Sequence, residues 1–242
     1  MTRTRRPHTL RRLIGLAAVA AVLLMLAAHH GTDPAAPSKP PAAGAATAAA
    51  LRQLDGLQVI LARTHRPGYQ RGCGRGQACS FGPAWTDSTS ATGGHNGCDT
   101  RNDILRTQLT DVTYRPGSRC VVAAGVLHDP YTGHTIHFAK AHAASVQIDH
   151  LVPLALAWDL GANTWRRSVR EAFANDEHLV LLAVSGAAND AKGDDGPGEW
   201  MPPDRAYRAT YAERFIAVLA HYRLAVTAAD KTALTNALRS SR

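Results

Sequence analysis

The chain has 242 residues, 45% hydrophobic and 19% charged, a balance that excludes a disordered polymer and leaves room for one domain with a sizeable core. Its net charge of +8 would suit a nucleic-acid partner, but residues 1–50 carry six Lys/Arg against one acid and residues 51–242 carry 21 against 18. A broadly basic folded domain is therefore excluded, and any cationic contact with a polyanion has to be local.

In chain order, arginines up to Arg12 precede an apolar run from Leu13 to Ala28. That is the layout of an export signal, with an uncleaved N-terminal anchor as the alternative, so residues 1–30 are assigned to it. The expected location is outside the cell, with no stable membrane association after cleavage. Residues 31–50 are rich in Pro, Ala and Gly and read as a tether. Leu51, Leu54, Leu57 and Leu61 have the spacing of a short helix. Residues 63–97 are rich in Gly, Pro, Ser and Thr and predict an irregular surface segment. Cys73, Cys79, Cys98 and Cys120 suit an exported disulfide protein, and Cys73–Cys79 with Cys98–Cys120 closes the shortest loops. A tetrathiolate zinc site is disfavoured because no CxxC pair is present.

The domain is expected over residues 65–242. Val121–Leu127 and Thr135–Phe138 predict a hairpin about the turn Asp129-Pro130-Tyr131-Thr132-Gly133. Val146–His150 predicts a strand stopped by Pro153. Helices are expected over Leu154–Leu160 and Trp165–Phe173, then a strand over His178–Val184 and a helix capped by Ser185 that carries Asn189 and Lys192. Asp204 is the expected N-cap of a helix with Tyr207, Tyr211, Phe215, Val218, Leu219 and Tyr222 on one face. Thr227 and Asp230 predict the start of a last helix with Leu234 and Leu238. The fold class is α+β.

The chemistry concentrates at Gln147-Ile148-Asp149-His150-Leu151-Val152-Pro153-Leu154. Asp149 offers a hard oxygen ligand for Mg²⁺ or Mn²⁺. The neighbouring His150 points to the other side of the strand and can take a proton from water. After the returning strand, Asn189 can add a neutral oxygen ligand, and Lys192, on the same helix face, can reach a phosphate oxygen. A surface ion pair or turn cap is the plain reading of Asp149-His150 taken alone. His134-x-x-His137 points to opposite faces of a strand and makes a poor shared metal site.

At Cys98-Asp99-Thr100-Arg101-Asn102-Asp103, Asp129-Pro130-Tyr131-Thr132-Gly133, Asp149-His150-Leu151-Val152-Pro153-Leu154 with Trp158, Phe173-Ala174-Asn175-Asp176, Asn189-Asp190-Ala191-Lys192-Gly193-Asp194 and Glu199-Trp200-Met201-Pro202-Pro203, the chain resembles the HNH (His-Me finger) endonuclease superfamily. It is similar in particular to secreted bacterial HNH-domain proteins related to the C-terminal nuclease domain of GmrSD-type restriction enzymes. The resemblance implies a ββα-metal core, a metal-dependent endonuclease acting on DNA or RNA, Asp149 and Asn189 on the metal, and His150 as general base. It also implies an Asn just before the returning strand to orient the base. This sequence has His178 there and Asn175 three residues earlier, and either can serve. A monomer is expected, and low sequence specificity follows from the lack of an accompanying DNA-recognition motif. The rival reading is a non-catalytic, disulfide-stabilised binding module on the same scaffold.

Overall fold

The computed structural model describes residues 43–240, which fall within one compact unit, Pro41–Arg242. The expected export segment and most of the tether lie outside the described residues. The remainder of the tether is not a tether. Helix α1, Ala43–Asp55, buries Thr47, Ala50 and Leu54 on one face, so the domain includes residues well before position 65. Alanine-rich sequence is a good helix former, and the small side chains allow close packing on a neighbouring helix. The Thr47 hydroxyl donates to Glu213 at 3.1 Å. The helix stops before Leu61, which is 90% exposed, and its continuation β1, Val59–Ile60, pairs in parallel with β7, Val226–Thr227.

Residues 61–99 contain no regular element, as their composition predicts. They are pinned by the two expected disulfides, Cys73–Cys79 with Cα atoms 4.3 Å apart and Cys98–Cys120 with Cα atoms 5.3 Å apart. Asp99 then caps helix α2, Thr100–Gln108, by accepting from the Asn102 backbone N–H at 2.9 Å. This helix and the following strand β2, Thr110–Tyr114, were not expected. Strands β2, β3 (Val122–His128) and β4 (Thr135–Ala139) form an antiparallel sheet in that order. The β3–β4 turn is the expected one, closed by Gly133 donating to the Asp129 carbonyl at 2.9 Å with Gly133 at φ 73°. The Asp129 carboxylate is buried and also accepts from the backbone N–H of Ser185 at 2.9 Å, tying this turn to a second sheet.

That second sheet is the antiparallel pair β5 (Val146–His150) and β6 (Leu181–Ser185), with Asp149 opposite Leu182 and His150 opposite Leu181. Helices α3 (Leu154–Asp159) and α4 (Arg167–Ala174) lie between the two strands in sequence. Helix α5, Gly186–Lys192, follows β6 directly with Ser185 as its N-cap. Gly186 is required there, because a Cβ would meet the Ala144 carbonyl oxygen at 1.9 Å. The C-terminal helices α6 (Arg208–Tyr222) and α7 (Ala228–Arg239) bury Tyr211, Phe215, Val218 and Leu219, and Leu234 and Leu238. Thr227 caps α7 as expected, accepting from Asp230 N–H at 3.0 Å. Asp204 does not cap α6; it sits a turn earlier and accepts from the Ala206 backbone N–H. The strand expected over His178–Val184 begins at Leu181, since Val180 and Leu181 both donate to the Asp176 carbonyl and close a turn instead.

Loop length ranks the two disulfides. The Cys98–Cys120 bridge spans 22 positions and Cys73–Cys79 six. On loop entropy their removal as Cys-to-Ser pairs costs about 3 and about 2 kcal/mol. Chemical denaturation of the two double variants measures this, and equal or reversed losses would refute the ranking.

Candidate active site

Asp149, the penultimate residue of β5, is 4% exposed. A buried carboxylate has to be paired, and two donors from different elements meet its Oδ2 atom. One is the Tyr131 hydroxyl, delivered by the β3–β4 turn, and the other is the Lys192 ammonium at 2.6 Å, delivered by the last turn of α5. Lys192 is fully buried and also donates to the backbone carbonyls of His150 at 2.9 Å and Leu151 at 3.1 Å. An ammonium has three N–H donors, and all three are engaged. The sequence expectation that Lys192 reaches a substrate phosphate is therefore corrected: its charge is spent inside the protein. Burial pushes the Lys192 pKa down while Asp149 pulls it back, and burial together with Asp149 pushes the Tyr131 hydroxyl well up, so it stays a donor.

His150 faces the other way. Its Nε2 lies 3.0 Å from the Ala174 carbonyl oxygen. A carbonyl only accepts, so Nε2 carries the proton and Nδ1 the lone pair. The indole of Trp85 stacks on the imidazole, with centroids 5.6 Å apart and planes at 16°. Trp85 has a left-handed backbone, φ 56°, and its carbonyl accepts from the Thr100 N–H at 3.3 Å.

Among the described residues no hydrogen bond or ring contact joins His178 to His150. His178 sits exposed in the turn before β6, where its backbone N–H donates to the Asp176 carboxylate. The orienting group is the Ala174 carbonyl at the end of α4. Asn175 acts one step behind it: its buried side chain donates to the Glu171 carbonyl at 2.9 Å and accepts from the Thr100 hydroxyl at 3.0 Å. These bonds fix the peptide that follows Ala174. The turn closed on Asp176 carries His178 out to solvent.

Asn189 shares a pocket of about 240 Å³ with Asp149, His150, Tyr69, Arg71 and Asp194. Its Nδ2 donates to Gln147 Oε1 at 2.7 Å, which turns its carbonyl oxygen away from that bond. Among the described residues neither that oxygen nor Asp149 Oδ1 has a hydrogen-bond partner. Two hard oxygens beside room for water fit Mg²⁺ or Mn²⁺, which keep waters and use few protein ligands. No group of three or more His, Cys, Asp or Glu able to hold a metal occurs among the described residues, so the donor set is open rather than a closed cage.

Trp85, Tyr69, Arg71 and Tyr131 were not foreseen as site residues. Only Tyr131 carried a signal, its place in a turn whose neighbours matched the motif pattern. The other three come from the irregular segment, where no periodicity indicates which side chains turn inward.

With fold and site in view, the chain belongs to the family described as GmrSD restriction endonucleases, C-terminal domain, whose model matches residues 99–237. It is also 42% identical over 144 residues to an uncharacterized secreted protein of Arthroderma benhamiae, covering 59% of this chain and 68% of that protein. No solved structure matches. Among the described residues no helix is long and apolar enough to cross a membrane.

Two expectations follow. Lys192→Met leaves a buried carboxylate without its cation and should destabilise the fold by about 3–5 kcal/mol; a loss below 1 kcal/mol in urea denaturation would refute the pairing. For His150, burial lowers the pKa from 6.5 to about 3, assisted by the charges of Arg71 and Lys192 and opposed by the Ala174 carbonyl. The folded value lies below the unfolded one, so between them the unfolded chain binds more protons. Stability is full above pH 6.5 and is lost as pH falls toward 3. With its pKa lowered in this way the imidazole is expected to be neutral throughout the neutral range, and an NMR titration of its ring proton should show no step between pH 5 and 8. A step near 6.5 would contradict the desolvation of its ring.

Proposed function

We propose that this chain is an exported, metal-dependent endonuclease of the HNH type, cleaving DNA or RNA with low sequence specificity, and that β5, β6 and α5 are its ββα-metal core. One observation carries the reading most directly: His150 Nε2 lies 3.0 Å from the Ala174 carbonyl, which leaves Nδ1 as the accepting nitrogen, and His150 lines the same pocket as Asp149 and Asn189. A surface ion pair would not need the base held on both a carbonyl and an aromatic face. Export is supported by the leader-like sequence of residues 1–30 and by the name of the fungal relative.

In this reading His150 Nδ1 takes the proton of a water molecule as its oxygen attacks phosphorus and the phosphodiester P–O bond breaks. The Ala174 carbonyl holds the tautomer and steadies the imidazolium formed during that transfer. Asp149 and Asn189 would hold a divalent cation, Mg²⁺ or Mn²⁺, which when bound supplies positive charge against the phosphate and the leaving oxygen. Lys192 and Tyr131 do not touch substrate; they fix the Asp149 carboxylate so that Oδ2 is occupied and Oδ1 is presented. His178 has no part in the reaction.

Incubation of the purified protein with plasmid DNA and single-stranded RNA, with Mg²⁺ or Mn²⁺ and with EDTA, tests the proposal. Metal-dependent nicking is expected. His150→Ala should retain metal binding and lose about 10²–10⁴-fold in rate, whereas Asp149→Asn should weaken both. No cleavage by the unaltered protein with either metal would overturn the enzyme and favour a binding module. Equal loss of metal affinity in both variants would make His150 a ligand instead of a base.

A further inference from the structure

Phosphodiester chemistry gains from a side-chain cation at the scissile phosphate, and none of the residues assigned above supplies one. Lys192 is buried and saturated. Arg63 spends its donors on Asp159 and Asp194, with contacts of 2.8 Å to each. Arg71 differs from both. It lines the same pocket as Asp149, His150 and Asn189, and it has no carboxylate partner among the described residues. Its recorded hydrogen bond, from Nη1 to the Gly82 carbonyl at 3.3 Å, uses one of five guanidinium donors.

Its backbone is unusually well held for a loop residue. On one side Gln70 accepts from the Ser80 N–H at 2.9 Å and donates its own N–H to the Ser80 hydroxyl at 3.0 Å. On the other, Gly72 accepts from the Cys79 N–H at 3.0 Å, and the Cys73–Cys79 bridge locks the clasp. A half-buried guanidinium fixed without a counter-ion is costly, and burial lowers its pKa. Such a placement is complementary to an anion that arrives later. A phosphate suits it, since the planar fork can give two parallel N–H bonds to two phosphate oxygens.

We propose that Arg71 is the phosphate-binding residue of this active site and grips the non-bridging oxygens of the scissile phosphodiester. This rests on the nuclease reading above and adds to it a residue outside the matched region, which begins at position 99. The segment before the family domain is then part of the site, and the Cys73–Cys79 clasp exists to aim one cation.

The test compares Arg71→Gln and Arg71→Lys with the unaltered protein on plasmid DNA and on bis(p-nitrophenyl) phosphate, a diester with a single phosphate. Thermal unfolding serves as the folding control. Arg71→Gln should lose about 10–100-fold in kcat/KM on both substrates, with unchanged metal affinity, and Arg71→Lys should recover part of the loss. On a labelled DNA duplex bound by the His150→Ala protein, adding Arg71→Gln should reduce the salt slope of binding by about one. Loss on DNA but not on the small diester would place Arg71 on a flanking phosphate and overturn the assignment. Activity and salt slope unchanged in a protein that does cleave DNA would overturn it while leaving the nuclease intact. A fall in melting temperature with an unchanged salt slope would make Arg71 a structural prop for Gly82. No hydrolysis by the unaltered protein would remove both readings together.

Discussion

Everything at this site hangs on the buried ion pair between Lys192 and Asp149. Four pieces of chain meet on it: the end of β5 through the carboxylate, the end of α5 through the ammonium, the β3–β4 turn through the Tyr131 hydroxyl, and the chain leaving β5 through the carbonyls of His150 and Leu151. Removing two charges from water costs several kcal/mol each, and their attraction offsets this only with good geometry and every remaining donor satisfied. Here the ammonium satisfies that condition fully. The pair therefore sets the spacing of α5 from β5, and with it the place of Asn189 in the pocket that Asp149 also lines.

The same pair sets the electrostatics around His150. With the carboxylate's charge matched by Lys192, His150 has no free anion to favour its protonated form, and burial beside two cations keeps it neutral. An unpaired carboxylate next to a histidine would otherwise raise the imidazole pKa. Directing Asp149 toward Lys192 and His150 toward Ala174 and Trp85, on opposite faces of one strand, separates the two demands. Alternation of side chains along β5 makes this possible with adjacent residues.

Much of this was legible in the sequence. The Asp-His pair at a strand end, the Gly133 turn, the Ser185 cap and both disulfides could be read from local signals that need no tertiary knowledge. Misreadings arose where tertiary structure decides. Lys192 shares a helix face with Asn189, but spacing does not tell whether a long side chain turns out to substrate or inward to a buried carboxylate. His178 lay at the position where an orienting residue was expected, yet Val180 and Leu181 close a turn on Asp176 and delay the strand. The orienting atom is a backbone carbonyl, and no side-chain identity announces a carbonyl. The alanine-rich stretch after residue 42 read as a tether because alanine carries little apolar signal, although it packs a helix well.

The irregular segment between β1 and α2 lies almost wholly before the matched region, and it is where Tyr69 and Arg71 of the pocket and Trp85 against His150 originate. Trp85 stacks on His150, and Arg71 brings a guanidinium that has no carboxylate partner among the described residues. Side chains on a sheet are positioned by the ladder; a segment without one meets the same entropy cost of ordering each residue with no ladder hydrogen bonds to offset it. Both groups are accordingly fixed by substitutes for a ladder. Arg71 sits inside a disulfide-locked clasp, and Trp85 is held through Thr100, whose hydroxyl also donates to Asn175, behind the Ala174 carbonyl. One threonine thus links the aromatic on one side of His150 to the carbonyl on the other. Loosening the segment would shift both supports of the imidazole at once, so its bridges act on the surroundings of His150 as well as on the stability of the domain.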